Sequence, residues 1–198
     1  MPGVSAILTA AGESTRMGRP KPLLEWRGTT LVDYQLHSLL DGGASEVVVV
    51  LGHRSREVRS YIRESGTTAV MNPDYRRGKS TSVKAGLRTI DPTADAVLLL
   101  AVDQPRTDAI IRTVIDAHTK ANALITSPRY QGHGGHPLVF SASLKGELER
   151  ISEDRQGIRE VFQAHRHEVN EVEIDDPMIR LDLNTREEYE QALKRYGV

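Results

Sequence analysis

Two stretches of this chain are apolar without a break: Val47-Val48-Val49-Val50-Leu51 and Val97-Leu98-Leu99-Leu100. A strand with one wet face alternates apolar and polar residues, so a strand with no polar position has both faces covered. Central strands of a parallel sheet held between two helix layers meet that condition. Strands are expected at residues 46–51 and 96–102 around these runs, and also at 5–9, 67–71 and 123–127. Helical spacing fills the intervals. Val32, Leu36, Leu39 and Leu40 form a stripe closed by Gly42-Gly43, followed by Val58, Tyr61 and Ile62, then by Val83, Leu87 and Ile90. Ile110, Ile111, Val114, Ile115 and His118 follow Thr107, a candidate N-cap. Tyr189, Leu193 and Tyr196 follow Thr185 and Glu188, which have capping-box spacing. The alternation predicts a three-layer α/β/α sandwich with a Rossmann-like, mostly parallel sheet and right-handed crossovers, as one domain over residues 1–198.

Charge and cysteine content narrow the function. With 26 basic and 27 acidic residues the net charge is −1, so nothing in the bulk electrostatics draws nucleic acid or an anionic membrane. The absence of cysteine excludes thiolate zinc sites, iron–sulfur clusters and cysteine nucleophiles. No apolar stretch approaches the roughly 20 residues that span a bilayer, and residues 1–3 do not open a secretory leader, so the cytoplasm is the expected compartment.

Sheets of this kind bind ligands beyond the carboxyl ends of their strands. After the first predicted strand the chain reads Ala10-Ala11-Gly12-Glu13-Ser14-Thr15-Arg16-Met17-Gly18-Arg19-Pro20-Lys21. Small residues at positions 10–12 let backbone amides approach a ligand, and Arg16 and Lys21 add positive charge, an anion cradle suited to a triphosphate. It is neither a Walker A loop nor a dinucleotide fingerprint, because the glycine and lysine spacings differ from both.

From Thr9 to Lys21 the segment resembles, without a gap, the signature of the MobA-like nucleotidyltransferases. Asn72-Pro73-Asp74-Tyr75 with Gly78 and Ser80-Thr81-Ser82-Val83 is similar to that family's second nucleotide-binding segment. Asp103-Gln104-Pro105 resembles its metal-binding strand end, Gly132-His133-Gly134-Gly135-His136-Pro137 its acceptor-side turn, and Leu183-Asn184-Thr185 with Glu187 and Glu188 its closing segment. Thr9-Ala10-Ala11-Gly12 is similar to the cytidylyl members that act on the molybdenum cofactor, where guanylyl members read L-A-G-G. The resemblance implies a fold of the nucleotide-diphospho-sugar transferase type. It also implies a nucleotide site from Thr9, Ala10, Ala11, Gly12, Ser14, Arg16, Gly18, Lys21, Asn72, Gly78, Ser80 and Ser82, and acceptor contacts from Gly135 and His136. Mg²⁺ would be held by Asp103 and Asn184, and Lys21, Arg16 and Asp103 would carry the catalysis.

Plainer readings stand beside these. Asp103 ends an apolar strand, where one carboxylate can recruit a metal–nucleotide complex or cap a turn. Asn184 or Thr185 can N-cap the last helix, and Asp182 shares a face with Asn184 on an extended segment. Ser80 and Ser82 suit a base edge or phosphate, or plain capping. His133 and His136 suit acceptor binding better than a metal, for want of a third ligand. His53-Arg54 and Asp175-Asp176-Pro177 read as structural turns, and Trp26 as core or as a substrate platform.

The implied reaction moves NMP, from CTP by this reading, onto a phosphorylated acceptor, with the molybdopterin cofactor the acceptor implied, and releases pyrophosphate. Handover to a molybdoenzyme or its chaperone would follow. The alternatives are a guanylyltransferase, a sugar- or alcohol-phosphate cytidylyltransferase, and a nucleotide-binding regulatory module without turnover.

Overall fold

The computed structural model describes residues 3–62 and 65–197, and the side chain of Arg16 lies outside that description. The strands are β1 (Val4–Ala10), β2 (Glu25–Trp26), β3 (Thr29–Thr30), β4 (Glu46–Leu51), β5 (Thr67–Met71), β6 (Ala96–Ala101), β7 (Ile125–Tyr130), β8 (His133–Gly134), β9 (Leu138–Ser141) and β10 (Val169–Glu173). The helices are α1 (Leu31–Asp41), α2 (Ser55–Arg59), α3 (Lys79–Leu87), α4 (Asp108–Ala121), α5 (Lys145–Leu148), α6 (Ile158–Ala164) and α7 (Arg186–Tyr196).

The main sheet has the order β10-β7-β9-β6-β1-β4-β5, with β8 added to β7, and β2 and β3 form a separate two-stranded ribbon. β1 runs parallel to both β4 and β6, β4 to β5, and β10 to β7, while β9 is antiparallel to β6 and β7. The unbroken apolar runs feed two cores. Ala6, Leu8, Val47, Val49, Leu98 and Leu100 point to one face, where α1 and α4 pack with Leu36, Leu39, Ile111 and Val114. Ile7, Val48, Val50, Val97 and Leu99 point to the other, against Val83 and Leu87 of α3 and Leu148 of α5. Period-2 side chains therefore leave no face of β1, β4 or β6 to water. Gly86 lets α3 settle directly on β1, because a Cβ there would stand 2.5 Å from Ile7 Cγ2.

Helix ends follow their expected chemistry. Thr107 caps α4 by accepting from the Ile110 amide, and Thr185 with Glu188 closes a full capping box on α7. Two expectations are corrected and one open reading is decided. α2 stops at Arg59, which leaves Tyr61 beyond the helix and 46% exposed. The expected strand at 123–127 runs instead over Ile125–Tyr130, through Pro128. Pro128 falls between the β9 ladder, which ends at Thr126–Val139, and the β8 ladder, which begins at Arg129–Gly134. A residue without an N–H is tolerated where a ladder is interrupted. Trp26 is core, fully buried beside Tyr34 rather than on a substrate surface. Among the described residues no helix is long and apolar enough to cross a membrane.

Candidate active site

Parallel register brings the strand ends to one edge. Thr9 pairs with Val50 and with Ala101, and Ala10 pairs with Leu51. Beyond that edge lies a cleft of about 300 Å³. Thr9, Ala10, Ala11, Gly12 and Ser14 form one part of its lining, Gly78 and Ser82 another, and Lys21, Asp103 and Asn184 a third. Segments far apart in sequence thus converge on one concave surface, as expected of a ligand site on an open α/β sheet. Tyr75, from the segment similar to the family's second nucleotide-binding stretch, and Lys79, which no motif singled out, line it too.

The loop after β1 is shaped by its own polar groups. Ser14 and Gly18 take positive φ angles of 54° and 66° and bracket a single 3₁₀ turn, Thr15–Met17. The Ser14 hydroxyl accepts a hydrogen bond from the Lys21 amide at 2.9 Å, which returns the chain to the sheet edge. Ser14 therefore places Lys21 as well as lining the cleft. Ala11 cannot retreat from a ligand. A Cβ on neighbouring Gly52 would lie 2.8 Å from the Ala11 Cβ and 2.7 Å from Tyr75 Cγ, so no space lies behind this floor.

Lys21 Nζ lies 2.7 Å from Asp103 Oδ2 and donates to Asn184 Oδ1 at 3.3 Å. Asn184 is free for this contact because Thr185 is the residue that caps α7. Glu188 Oε2 accepts from the amides of both Asn184 and Thr185, and the Leu183 amide donates to the Asp103 carbonyl at 2.8 Å. The last helix is thus pinned to the end of β6, and Asn184, the residue before its cap, shares the lysine with the strand-end carboxylate. Asp103 and Asn184 supply two hard oxygen donors at the cleft wall, a set that suits a small divalent cation completed by phosphate and water. Among the described residues no group of three or more His, Cys, Asp or Glu stands ready to hold a metal alone.

Several expected site residues lie outside the cleft lining. Asn72 is buried behind Ser82 and bonds to it. The amide and hydroxyl of Ser80 both donate to Glu153 Oε1, at 2.6 and 2.7 Å, and these bonds hold the Glu153 carboxyl below its usual range. Gly18 shapes the first loop without facing the cleft, and the Arg16 side chain lies outside the described residues. Gly135 is packed tightly, since a Cβ there would meet the Ile179 carbonyl at 2.4 Å. His133 is exposed on β8. His136 is half-buried, and desolvation followed by the charge of Arg106 pushes its pKa down to about 4, so the ring is neutral at pH 7. Asp182 accepts from Gln104 Nε2 at 2.7 Å and takes no part in the cleft.

Arg106, which nothing in its local sequence distinguishes, is fully buried. Its guanidinium donates to the carbonyls of Pro105, His136, Ile179 and Leu181 at 2.8–3.0 Å. Burial lowers its pKa to about 10, which leaves it charged at neutral pH. It joins the end of β6, the turn before β9 and the segment leading to Asn184.

The chain resembles known proteins over nearly its whole length. The chain is 30% identical to the molybdenum cofactor cytidylyltransferase of Escherichia coli over 200 aligned residues, covering 99% of this chain and 98% of that one. It is also 30% identical to nicotine blue oxidoreductase of Paenarthrobacter nicotinovorans, covering 98% of each. The crystal structure of Rv0371c from Mycobacterium tuberculosis H37Rv in complex with manganese superposes with a TM-score of 0.82 at 30% identity, covering 98% of each chain. The model of the MobA-like NTP transferase domain matches residues 6–169, from β1 to the start of β10, and the chain belongs to that family.

Proposed function

We propose that this protein transfers CMP from CTP to a phosphorylated small-molecule acceptor, with the molybdopterin cofactor as acceptor, in one domain and with Mg²⁺. The observation that carries the reading is the meeting of Lys21, Asp103 and Asn184 at the wall of a cleft floored by Ala10, Ala11 and Gly12. An acceptor phosphate oxygen attacks the α-phosphorus, the bond to the β-phosphate oxygen breaks, and pyrophosphate leaves. A phosphate monoester has a second pKa of about 6, so the attacking group is already a dianion and needs no protein base. The chain's work is therefore alignment and charge neutralisation. Asp103 and Asn184 would hold the metal, which when bound neutralises phosphate charge. Lys21 passes from Asp103 to the α-phosphate, backbone amides of residues 10–12 line the phosphates, and Arg16 holds the departing pyrophosphate.

Two features support cytosine over guanine. The Ala11 floor backed by Gly52 and Tyr75 cannot recede to admit a purine, and the E. coli relative is named a cytidylyltransferase. The acceptor follows from that relative's name alone. The Paenarthrobacter relative is named an oxidoreductase, so a redox reading is tested alongside. The test is a pyrophosphate-release screen of the four nucleoside triphosphates, with and without Mg²⁺, against phosphorylated acceptors that include metal-loaded molybdopterin. Release with CTP that needs both Mg²⁺ and acceptor is expected. No release with any pair, together with acceptor-dependent oxidation of NADH or NADPH, overturns the proposal.

A further inference from the structure

The first turn of α3 is capped from a distant part of the chain. Gly78 precedes the helix and has no side chain with which to cap it, and the first turn holds no acidic residue. The Ser80 amide, one of the helix's orphan donors, finds its acceptor in Glu153 Oε1 at 2.6 Å, and the Ser80 hydroxyl donates to the same oxygen at 2.7 Å. Glu153 belongs to a 3₁₀ turn, Glu153–Arg155, between α5 and α6. A carboxylate in that place also meets the positive end of the helix dipole. Two glycines give the contact its room. Gly78 takes a φ of 114°, and a Cβ on it would stand 2.7 Å from Glu153 Oε1. Gly157 takes a φ of 59°, and a Cβ on it would stand 3.1 Å from Ser80 Oγ. Leu148, Ile151 and Val161 seat the turn and its helices on the same core as Val83 and Leu87. Gly78, Lys79 and Ser82 line the cleft, whereas residues 152–157 do not. Glu153 therefore meets the cleft wall only from behind.

We propose that Glu153 is a positioning residue: by capping α3 from outside the cleft it holds Gly78 and Lys79 in the shape that receives a nucleotide, and it couples the turn between α5 and α6 to that ligand. The inference rests on reading the cleft as a nucleotide site, whichever base it prefers. Ser80, expected to meet the nucleotide itself, acts instead through this contact, since its amide and hydroxyl are both committed to Glu153. Without the cap the first turn of α3 frays. Only the molecules with that turn formed are then ready to bind, so the apparent affinity falls with their fraction. One lost helix cap corresponds to about 5–30-fold in an equilibrium. The coupling is reciprocal, so a ligand that needs the turn of α3 formed must in return protect the 152–157 turn that caps it.

The test is calorimetric titration of the full chain with Mg²⁺ and whichever of the four nucleoside triphosphates the unmodified protein binds most tightly. Glu153→Ala should weaken binding about 5–30-fold. Glu153→Gln keeps an oxygen that can accept both bonds but loses the charge at the helix end, and should weaken binding about 2–5-fold. Hydrogen exchange supplies a readout that a merely structural cap would not move. The nucleotide should slow exchange of the amides at 152–157 in the unmodified protein and leave it unchanged in Glu153→Ala. Thermal unfolding of each variant establishes that it folds, and if Glu153→Ala does not, Glu153→Gln decides by its affinity. Two results overturn the inference and leave the nucleotide site standing. One is a variant with a lowered unfolding midpoint but unchanged affinity, and the other is exchange at 152–157 that ignores the nucleotide in the unmodified protein. No binding of any of the four by the unmodified protein overturns both.

Discussion

Lys21 and Asp103 neutralise each other 2.7 Å apart, and their roles in the proposed reaction require them to separate. The two deletions should therefore act in opposite directions on metal affinity. Lys21→Ala removes the competitor for the carboxylate, so Mn²⁺ or Mg²⁺ should bind the nucleotide-free protein more tightly. Turnover should still fall about 10²–10³-fold, the usual loss for one preorganised charge at a reacting phosphate. Asp103→Ala should abolish metal-dependent turnover while leaving the unfolding transition nearly unchanged. Metal titration followed by steady-state rates checks both, and parallel loss of metal affinity in the two variants would contradict the exchange of partners. His136 supplies a prediction in pH. Its pKa is lowered from 6.5 to about 4, first by desolvation and then by Arg106. Below pH 6.5 the unfolded chain takes up a proton that the folded ring refuses until about pH 4, so this group makes the protein less stable as pH falls through that window and contributes nothing above it. His136→Asn should show a shallower loss of stability between pH 7 and 4, read as the difference between urea midpoints of the two proteins.

Between elements the decisive connector is Arg106. Its four carbonyl partners belong to β6's end, to the turn before β9 and to the 179–181 segment, which leads through Leu183 to Asn184. Replacing it with Lys keeps the charge but not the planar fork, and buried carbonyls lose their donors at about 1–3 kcal/mol each. Arg106→Lys should lower stability by roughly 2–4 kcal/mol, read from denaturant midpoints, and should weaken turnover more than CTP binding, because Asn184 drifts from Lys21. That connector illustrates what the sequence conceals. β4 and β6 are legible because burial on both faces gives unbroken apolar runs, and the α7 cap is legible because its chemistry is local. The short antiparallel β9 and the edge strand β10, whose exposed positions are Glu171 and Glu173, have no comparable pattern. The site divides in the same way. Residues 9–21 form one continuous stretch, the end of β1 and its loop, and can be read together, and Asp103 is marked by the strand before it. Arg106 and the Ser80–Glu153 bonds depend on segments dozens of positions away, and pairings of that kind leave no periodicity.

At the scale of the molecule, the cleft joins the loop after β1, the start of α3, the end of β6 and the approach to α7, so any ligand that fills it cross-links most of the chain. Binding to the folded state alone stabilises it by RT ln(1 + [L]/Kd), about 2.7 kcal/mol at a hundredfold excess over Kd. For a chain of this size each kcal/mol raises the unfolding midpoint by about 2–4 °C, so saturating Mg²⁺–CTP should raise it by roughly 5–10 °C. The increments also sort the parts of the ligand by the elements they touch. On the proposed reading CMP would reach the floor of residues 9–12 but lacks the β- and γ-phosphates, so it should raise the midpoint less than CTP. In Asp103→Ala the shift from CTP should no longer depend on Mg²⁺, because the strand-end carboxylate is the charged group offered to the metal there. A midpoint unmoved by any nucleoside triphosphate, with or without Mg²⁺, would mean that the cleft takes a different ligand. A shift from CTP with the same Mg²⁺ dependence in Asp103→Ala would instead keep the nucleotide and move the metal to other residues.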